Sequence, residues 1–278
     1  MGVEKDASGN RWVEVAREVP GTVEEVWEAI ATGPGIASWF VPTDIELGKD
    51  GQPARVISHF SDDGTMDSVS DILSWDAPNK FVGTSADLGP DAPEVLTEWG
   101  VKSLSGSTST VYVRHSFATE SDEWDGHLED WEGGWPWFFN VLSIYLMNFR
   151  GQQASAFRVM GVAPQPTWDA WDELAGAIGL GESEVGTFVK APDELPPLIG
   201  TVKYTSGEGQ EFGAILRLDE PAAGILSAFA MAMDGKVFLV LDFYFFGNRA
   251  EGAVAHWGAH WQQWMEENFG DFETPEDV

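Results

Sequence analysis

The sequence predicts an α+β protein of two domains, and three observations carry that prediction. An apolar strand pattern followed by a helix opens the chain at Val13–Pro20 with Thr22–Ile30, and recurs at Ala156–Met160 with Thr167–Ile178. Short, turn-broken β-like segments follow each opening. Each half then closes on a Trp-rich helical pattern, around Trp135–Phe149 and around Ala253–Phe269. A repeat much longer than a solenoid unit implies two related domains, which divide as residues 1–150 and 151–278. The length of 278 residues is enough for two ordinary cores.

The first helix is the best defined element. Thr22 and Glu25 stand three apart and make a capping box. Val23, Val26, Trp27 and Ile30 recur at helical spacing as one buried stripe, and Gly33-Pro34-Gly35 stops the helix. A short helical turn ends in Trp39-Phe40-Val41-Pro42. From Ile45 to Phe117 the pattern is strands, with corners at Lys49-Asp50-Gly51, Asp62-Asp63-Gly64 and Ser105-Gly106. Alternation puts Val111, Val113, His115 and Phe117 on one face of the last strand. An acidic loop, Glu120 to Asp130, leads into the closing helix, which Gly133-Gly134 and Pro136 start or kink. Its apolar residues are too dense for a narrow stripe, so it is buried on more than one side.

The second half repeats the plan beyond a joint at Arg150–Gln153. Thr167 caps a helix whose apolar face is Trp168, Trp171, Leu174 and Ile178, and Gly179 ends it. Thr201–Tyr204 and Phe212–Leu218 read as strands. Asp234-Gly235 joins strands Ile225–Met233 and Lys236–Phe246 in a hairpin. The last helix faces the core with Val254, Trp257, Trp261, Trp264 and Met265, and Asp271–Val278 is a frayed tail.

Composition narrows the function. The net charge is −31, with 26 acids against 9 bases in residues 1–150 and 20 against 6 in 151–278. A surface so negative repels phosphate backbones and anionic headgroups, which excludes nucleic acid and membrane surfaces as partners. The absence of Cys excludes disulfides, thiolate nucleophiles and Cys-based metal sites. Met1–Asn10 is polar, and the apolar run Val237–Phe246 is interrupted by Asp242 and too short for a bilayer. The expectation is a soluble cytoplasmic protein. Fourteen Trp residues can line a wide cavity as well as fill a core.

Val15 to Phe149 resembles the START-like helix-grip superfamily, in the branch related to the activator of Hsp90 ATPase. The residues that carry the likeness are Glu18-Val19-Pro20 with Val26-Trp27-Glu28-Ala29-Ile30, the W-F-x-P segment Trp39–Pro42, the final strand Thr108–Phe117, and Gly134-Trp135 through Tyr145-Leu146. The second half matches in layout more than in motif, with Trp171 in the place of Trp27 and no W-F-x-P, and reads as a diverged second copy. The resemblance implies tandem helix-grip domains, each a curved antiparallel sheet wrapped around a long C-terminal helix with a cavity between. Its relatives include lipid and hormone carriers, polyketide cyclases and Hsp90 co-chaperones, so the fold leaves the function open.

The residues selected as ligand-binding are Trp39, Phe40, Trp99, His115, Trp135, Tyr145, Asp242 and Tyr244. His115 on an apolar strand face orients a ligand, acts as a base, or is a packed histidine. Asp242 in an apolar strand needs a partner, for which Arg217, Lys236 or a ligand qualifies. His256 and His260 share a helix face at metal-ligand spacing, but Trp257 replaces the glutamate of the zincin pattern, so no metal is assigned. No phosphate loop, G-x-S-x-G elbow, catalytic residue or cofactor motif is assigned either. The reading is non-catalytic binding of an apolar or amphipathic small molecule. The alternatives are a protein partner engaged in the manner of the Hsp90 activators, and a cyclase using His115 with Tyr145 or Asp242 with Tyr244.

Overall fold

The computed structural model describes residues 2–61, 64–89, 91–119, 121–163, 166–206, 212–233 and 235–270. It divides into two compact units, Met1–Gln153 and Ala154–Val278. The first contains β1 (Glu4–Lys5), β2 (Asn10–Pro20), α1 (Val23–Ile30), α2 (Gly33–Ile36), β3 (Thr43–Leu47), β4 (Pro53–His59), β5 (Asp67–Asp76), β6 (Lys80–Ser85), β7 (Val95–Ser105), β8 (Thr108–Ala118) and α3 (Asp125–Asn148). Its strands form one antiparallel sheet in the order β1-β2-β8-β7-β6-β5-β4-β3. Opening strand β2 therefore lies beside last strand β8, paired from Asn10↔Ala118 to Pro20↔Thr108. The long closing helix α3 packs on that pair.

The capping box forms as the sequence predicts. The Thr22 amide donates to Glu25 Oε2 at 2.8 Å, and the Glu25 amide donates to Thr22 Oγ1 at 3.3 Å. Gly33-Pro34-Gly35 is not merely a stop. After α1 ends, Thr32 caps a second helix by accepting from the Gly35 amide at 3.0 Å. Pro34 sits in its first turn, where a missing N–H leaves nothing unpaired. A Cβ on Gly35 would lie 2.1 Å from the Glu28 carbonyl oxygen and 3.0 Å from Ala29 Cα. Only glycine lets α2 rest this closely on α1.

The closing helix departs from expectation at its start. It begins at Asp125, inside the stretch read as an acidic loop, and runs through Pro136. The cause lies in β2: buried Arg11 donates through Nε and Nη2 to the two carboxylate oxygens of Asp125. Leu128 is fully buried one turn on. An ion pair and an apolar anchor from a distant strand thus extend the helix over polar sequence.

The second unit contains β9 (Ser155–Ala163), α4 (Thr167–Ala177), β10 (Phe188–Lys190), β11 (Ile199–Ser206), β12 (Phe212–Glu220), β13 (Gly224–Met233), β14 (Lys236–Phe245) and α5 (Ala250–Asn268). The sheet order is β10-β11-β12-β13-β14-β9, so opening and last strands again lie side by side, and α5 packs on them. Both units place an arginine–carboxylate pair across this strand pair. Glu14 faces Arg114 in the first and Arg158 faces Asp242 in the second, with the charges exchanged between strands.

Two expectations for α4 are corrected. Its N-cap is Pro166, with Thr167 inside the helix, and no side chain caps it. Trp168 is 55% exposed, because the buried stripe runs through Thr167, Ala170, Leu174 and Ile178 and misses it by one residue. Gly179 ends α4 with φ +80°. In α5, Trp261 and Met265 are buried, and Val254, Trp257 and Trp264 are partly buried against the same core. Met233↔Lys236 closes a two-residue turn containing Gly235 at φ +74°. Asp234, the Asp62-Asp63 corner and the 271–278 tail lie outside the described residues. No described helix is long and apolar enough to cross a membrane.

Two predictions follow from these features. Gly35→Ala should destabilise the protein by about 1–3 kcal/mol, as overpacking does, measured by urea denaturation. The 46 acids outnumber the 15 bases threefold, so most carboxylates lack a cation and repel one another. Added NaCl shortens the Debye length from about 30 Å at 0.01 M to about 3 Å at 1 M. The thermal midpoint should therefore rise across that range, and a flat or falling midpoint would refute self-repulsion as a cost to this fold.

Candidate functional site

Five of the eight selected residues converge in the first unit. His115 lies on the buried face of β8 with Val111, Val113 and Phe117. The Trp135 indole on α3 donates from Nε1 to His115 Nε2 at 2.7 Å. An indole N–H can only donate, so Nε2 is the unprotonated nitrogen. The ring proton is then on Nδ1, which donates to Thr97 Oγ1 at 2.9 Å. Burial disfavours the imidazolium and lowers the His115 pKa to about 3. The ring is therefore neutral at physiological pH, with both nitrogens engaged by protein.

The aromatic residues close on one another around it. Trp135 meets Trp99 edge-on with centroids 4.9 Å apart and Phe40 at 5.3 Å. Trp39 lies 5.7 Å from Phe40 and 6.3 Å from Trp99. The Trp39 Nε1 donates to the Ala29 carbonyl at 2.9 Å, which ties the end of α2 back to α1. Such offset and edge-to-face pairs add stability beyond area burial. Phe138, Phe139 and Trp131, which the sequence reading did not select as site residues, complete the cluster against Phe40, Trp99 and His115. Their helical spacing on α3 was the available signal.

Tyr145 is not part of this cluster's polar chemistry. Its hydroxyl donates to the Gln152 carbonyl at 3.0 Å, at the end of the unit, and burial raises its pKa. Asp242 and Tyr244 belong to the second unit. Asp242 is paired, though with neither Arg217 nor Lys236. Arg158 stands directly opposite in the β9–β14 register and binds both carboxylate oxygens, Nη2 to Oδ2 at 3.1 Å. Arg217 instead pairs with Asp219. Burial opposes the Arg158 charge, but the adjacent Asp242 carboxylate outweighs it and holds the guanidinium ionised. Burial, reinforced by Asp242, pushes the Tyr244 hydroxyl well above its usual range. His256 and His260 are exposed on α5, with His260 Nδ1 donating to the His256 carbonyl at 2.8 Å. Among the described residues no group of His, Asp and Glu could hold a metal ion.

A cleft of about 240 Å³ opens in the second unit between α4, the segment after it, and β11–β12. Of its lining residues, Leu180 and Ala214 are buried, Trp171 and Phe212 half-buried, and Asp172 and Glu182 exposed. It thus grades from an apolar floor to an acidic rim. Local hydrogen bonds build the segment: the Leu180 and Gly181 amides both donate to the Ala175 carbonyl, at 2.8 and 3.0 Å, and Ser183 Oγ donates to the Leu180 carbonyl. A Cβ on Gly179 would lie 2.8 Å from the Lys190 carbonyl oxygen, so its glycine is required by both φ and close approach. Sequence reasoning assigned Trp171 to the core stripe alone. The glycines flanking Leu180 were the one local hint that the chain turns away from the helix here.

No family model matches this chain, and no curated protein matches it. Solved structures do. DynU16, a protein of the dynemicin biosynthetic locus, is 17% identical over 91% of this chain and 95% of its own, with a TM-score of 0.41. The di-domain ARO/CYC protein BexL from the BE-7585A biosynthetic pathway is 13% identical over 93% of each chain, with a TM-score of 0.42. A START superfamily protein from Mycobacterium smegmatis is 11% identical over 49% of this chain and 97% of its own, with a TM-score of 0.39. At these values, function has to be argued from the residues of this chain.

The His115 environment makes a sign-definite prediction. Its folded pKa of about 3 lies below the ordinary value of 6.5, so the unfolded chain binds the extra proton first. The stability associated with neutral His115 is complete above pH 6.5 and is lost as pH falls towards 3, by about 1.4 kcal/mol per pH unit. Because the carboxylates titrate in the same range, the effect is read as a difference: in urea denaturation the stability of the wild type relative to His115→Gln should fall with that slope as pH is lowered. Nitrogen-15 NMR should find the Nδ1–H tautomer throughout the neutral range.

Proposed function

We propose that the protein binds a small amphipathic molecule without transforming it, and that the cleft of the second unit receives it. The observation that carries this reading is the cleft itself: half-buried aromatic walls, a buried aliphatic floor and a polar rim are the usual make-up of a ligand site. The aromatic rings of the first unit pack on one another, with Phe40, Trp99 and Trp135 among them half-buried. The groups a cyclase would need are committed elsewhere. His115 is neutral with both nitrogens bonded, and both oxygens of Asp242 are held by Arg158. A general base is most effective with a pKa near the working pH, and about 3 is far from it.

We read the two units as diverged copies of one helix-grip plan. The shared placement of opening strand, last strand and closing helix supports this, as does the charge-exchanged arginine–carboxylate pair in the same strand pair. A place in the Hsp90-activator branch is supported by the W-F-x-P segment, where Trp39 and Val41 are almost fully buried and act in packing.

Native mass spectrometry of freshly purified protein, repeated after denaturation, tests the binding reading. A mass excess lost on denaturation is expected, and Trp171→Ala should weaken retention about tenfold. An unliganded mass, together with amides of the cleft that no amphiphile perturbs in NMR titrations, would overturn it.

A further inference from the structure

Resting on that reading of the cleft, we infer its ligand class: a small organic cation carrying an aryl or compact alkyl body. The charge of the lining is one-sided. Asp172 and Glu182 stand at the exposed end, and no lysine or arginine is among the described lining residues. The remaining polar lining side chains, Ser183, Thr205 and Ser206, are neutral. An anion entering here would meet two carboxylates with no compensating base. A neutral molecule would gain the apolar contacts and leave the acidic rim unused. A cation gains both.

The aromatic walls point the same way. Trp171 precedes Asp172 in α4 and presents a half-buried indole to the cleft, and Phe212 lies across from it at the start of β12. An indole is the best of the side-chain rings at stabilising an ammonium group over its face. Trp171 and Asp172 both line the cleft, so both attractions can act on one ligand. The field of the whole unit adds to them, with 20 acids against 6 bases in residues 151–278. Size limits the ligand. About 240 Å³ falls below the common range of roughly 300–1,000 Å³ for drug-sized sites.

Three probes of one shape and different charge test this: phenethylammonium, 2-phenylethanol and 3-phenylpropionate. Each is titrated into the full-length protein while the amide resonances of Gly181, Thr205, Gly213 and Ala214 are followed by NMR. Phenethylammonium should bind about tenfold tighter than the alcohol, and the carboxylate weakest. The double variant Asp172→Asn/Glu182→Gln should abolish that preference while keeping the alcohol's affinity. This variant changes the net charge of −31 by only two, so a preference that survives it would arise from the general field and overturn the site assignment. Equal or tighter binding of the alcohol would overturn the cationic class and leave the small-molecule reading intact. If no probe shifts these amides, a mass excess in native spectra decides the matter: with it, only the ligand class fails, and without it both readings fail.

Discussion

The first unit is organised around one chain of donors and acceptors, Trp135 to His115 to Thr97, with the buried histidine at its centre. Trp135 comes from the closing helix, His115 from the last strand and Thr97 from its neighbour β7. An indole that can only donate requires an unprotonated nitrogen opposite it. A neutral imidazole can be buried, where an imidazolium could not without a counter-charge. The rings of Phe40, Trp99 and Phe139 pack about Trp135, and Trp39 packs in turn on Phe40 and Trp99. Removing the Trp135 or Thr97 partner would leave a nitrogen of buried His115 unpaired, at a cost of about 1–3 kcal/mol. The helix is thereby fixed in position and rotation on the sheet by a directional bond, and the apolar contacts follow from that placement.

In the second unit a charged pair crosses the same strand pair on the sheet face opposite the closing helix, because the neighbouring Phe157 and Phe243 stack on each other and Phe243 meets Trp261 of α5. Arg158 and Asp242 span the strand pair on which α5 rests, and the pair is far more buried than Glu14–Arg114 in the first unit, with Asp242 only 5% exposed against 32% for Glu14. A buried pair of this kind contributes little net stability but penalises alternatives strongly, because either partner alone is an uncompensated charge. This supports the structural reading of a residue whose position in an apolar strand first suggested a ligand.

These two arrangements divide the labour. The first unit commits its aromatic rings to each other and its histidine to them. The second, with six strands against eight, leaves space beside α4 where the chain turns through Gly179 and Gly181. The acidic excess that burdens stability across the molecule becomes useful at that opening, where carboxylates beside an indole select for positive charge.

Much of this was determined by the sequence alone. The capping box at Thr22, the alternation that buries His115, the hairpin before Lys236 and the paired strand–helix openings are local patterns, set by backbone geometry within a few residues. The α+β class follows from their order. Tertiary structure decided the rest. Helix α3 starts at Asp125 because Arg11, far away in the chain, binds it. Trp168 is exposed because the core falls one residue off the expected stripe. Asp242 finds Arg158 through strand register, and Trp135 finds His115 through the docking of a helix on a sheet. Above all, whether an aromatic residue fills a core or lines a cleft depends on what packs against its other face. Trp135 and Trp171 are both half-buried, and only the folded chain shows that the first packs against Phe40, Trp99 and His115 while the second lines a cleft.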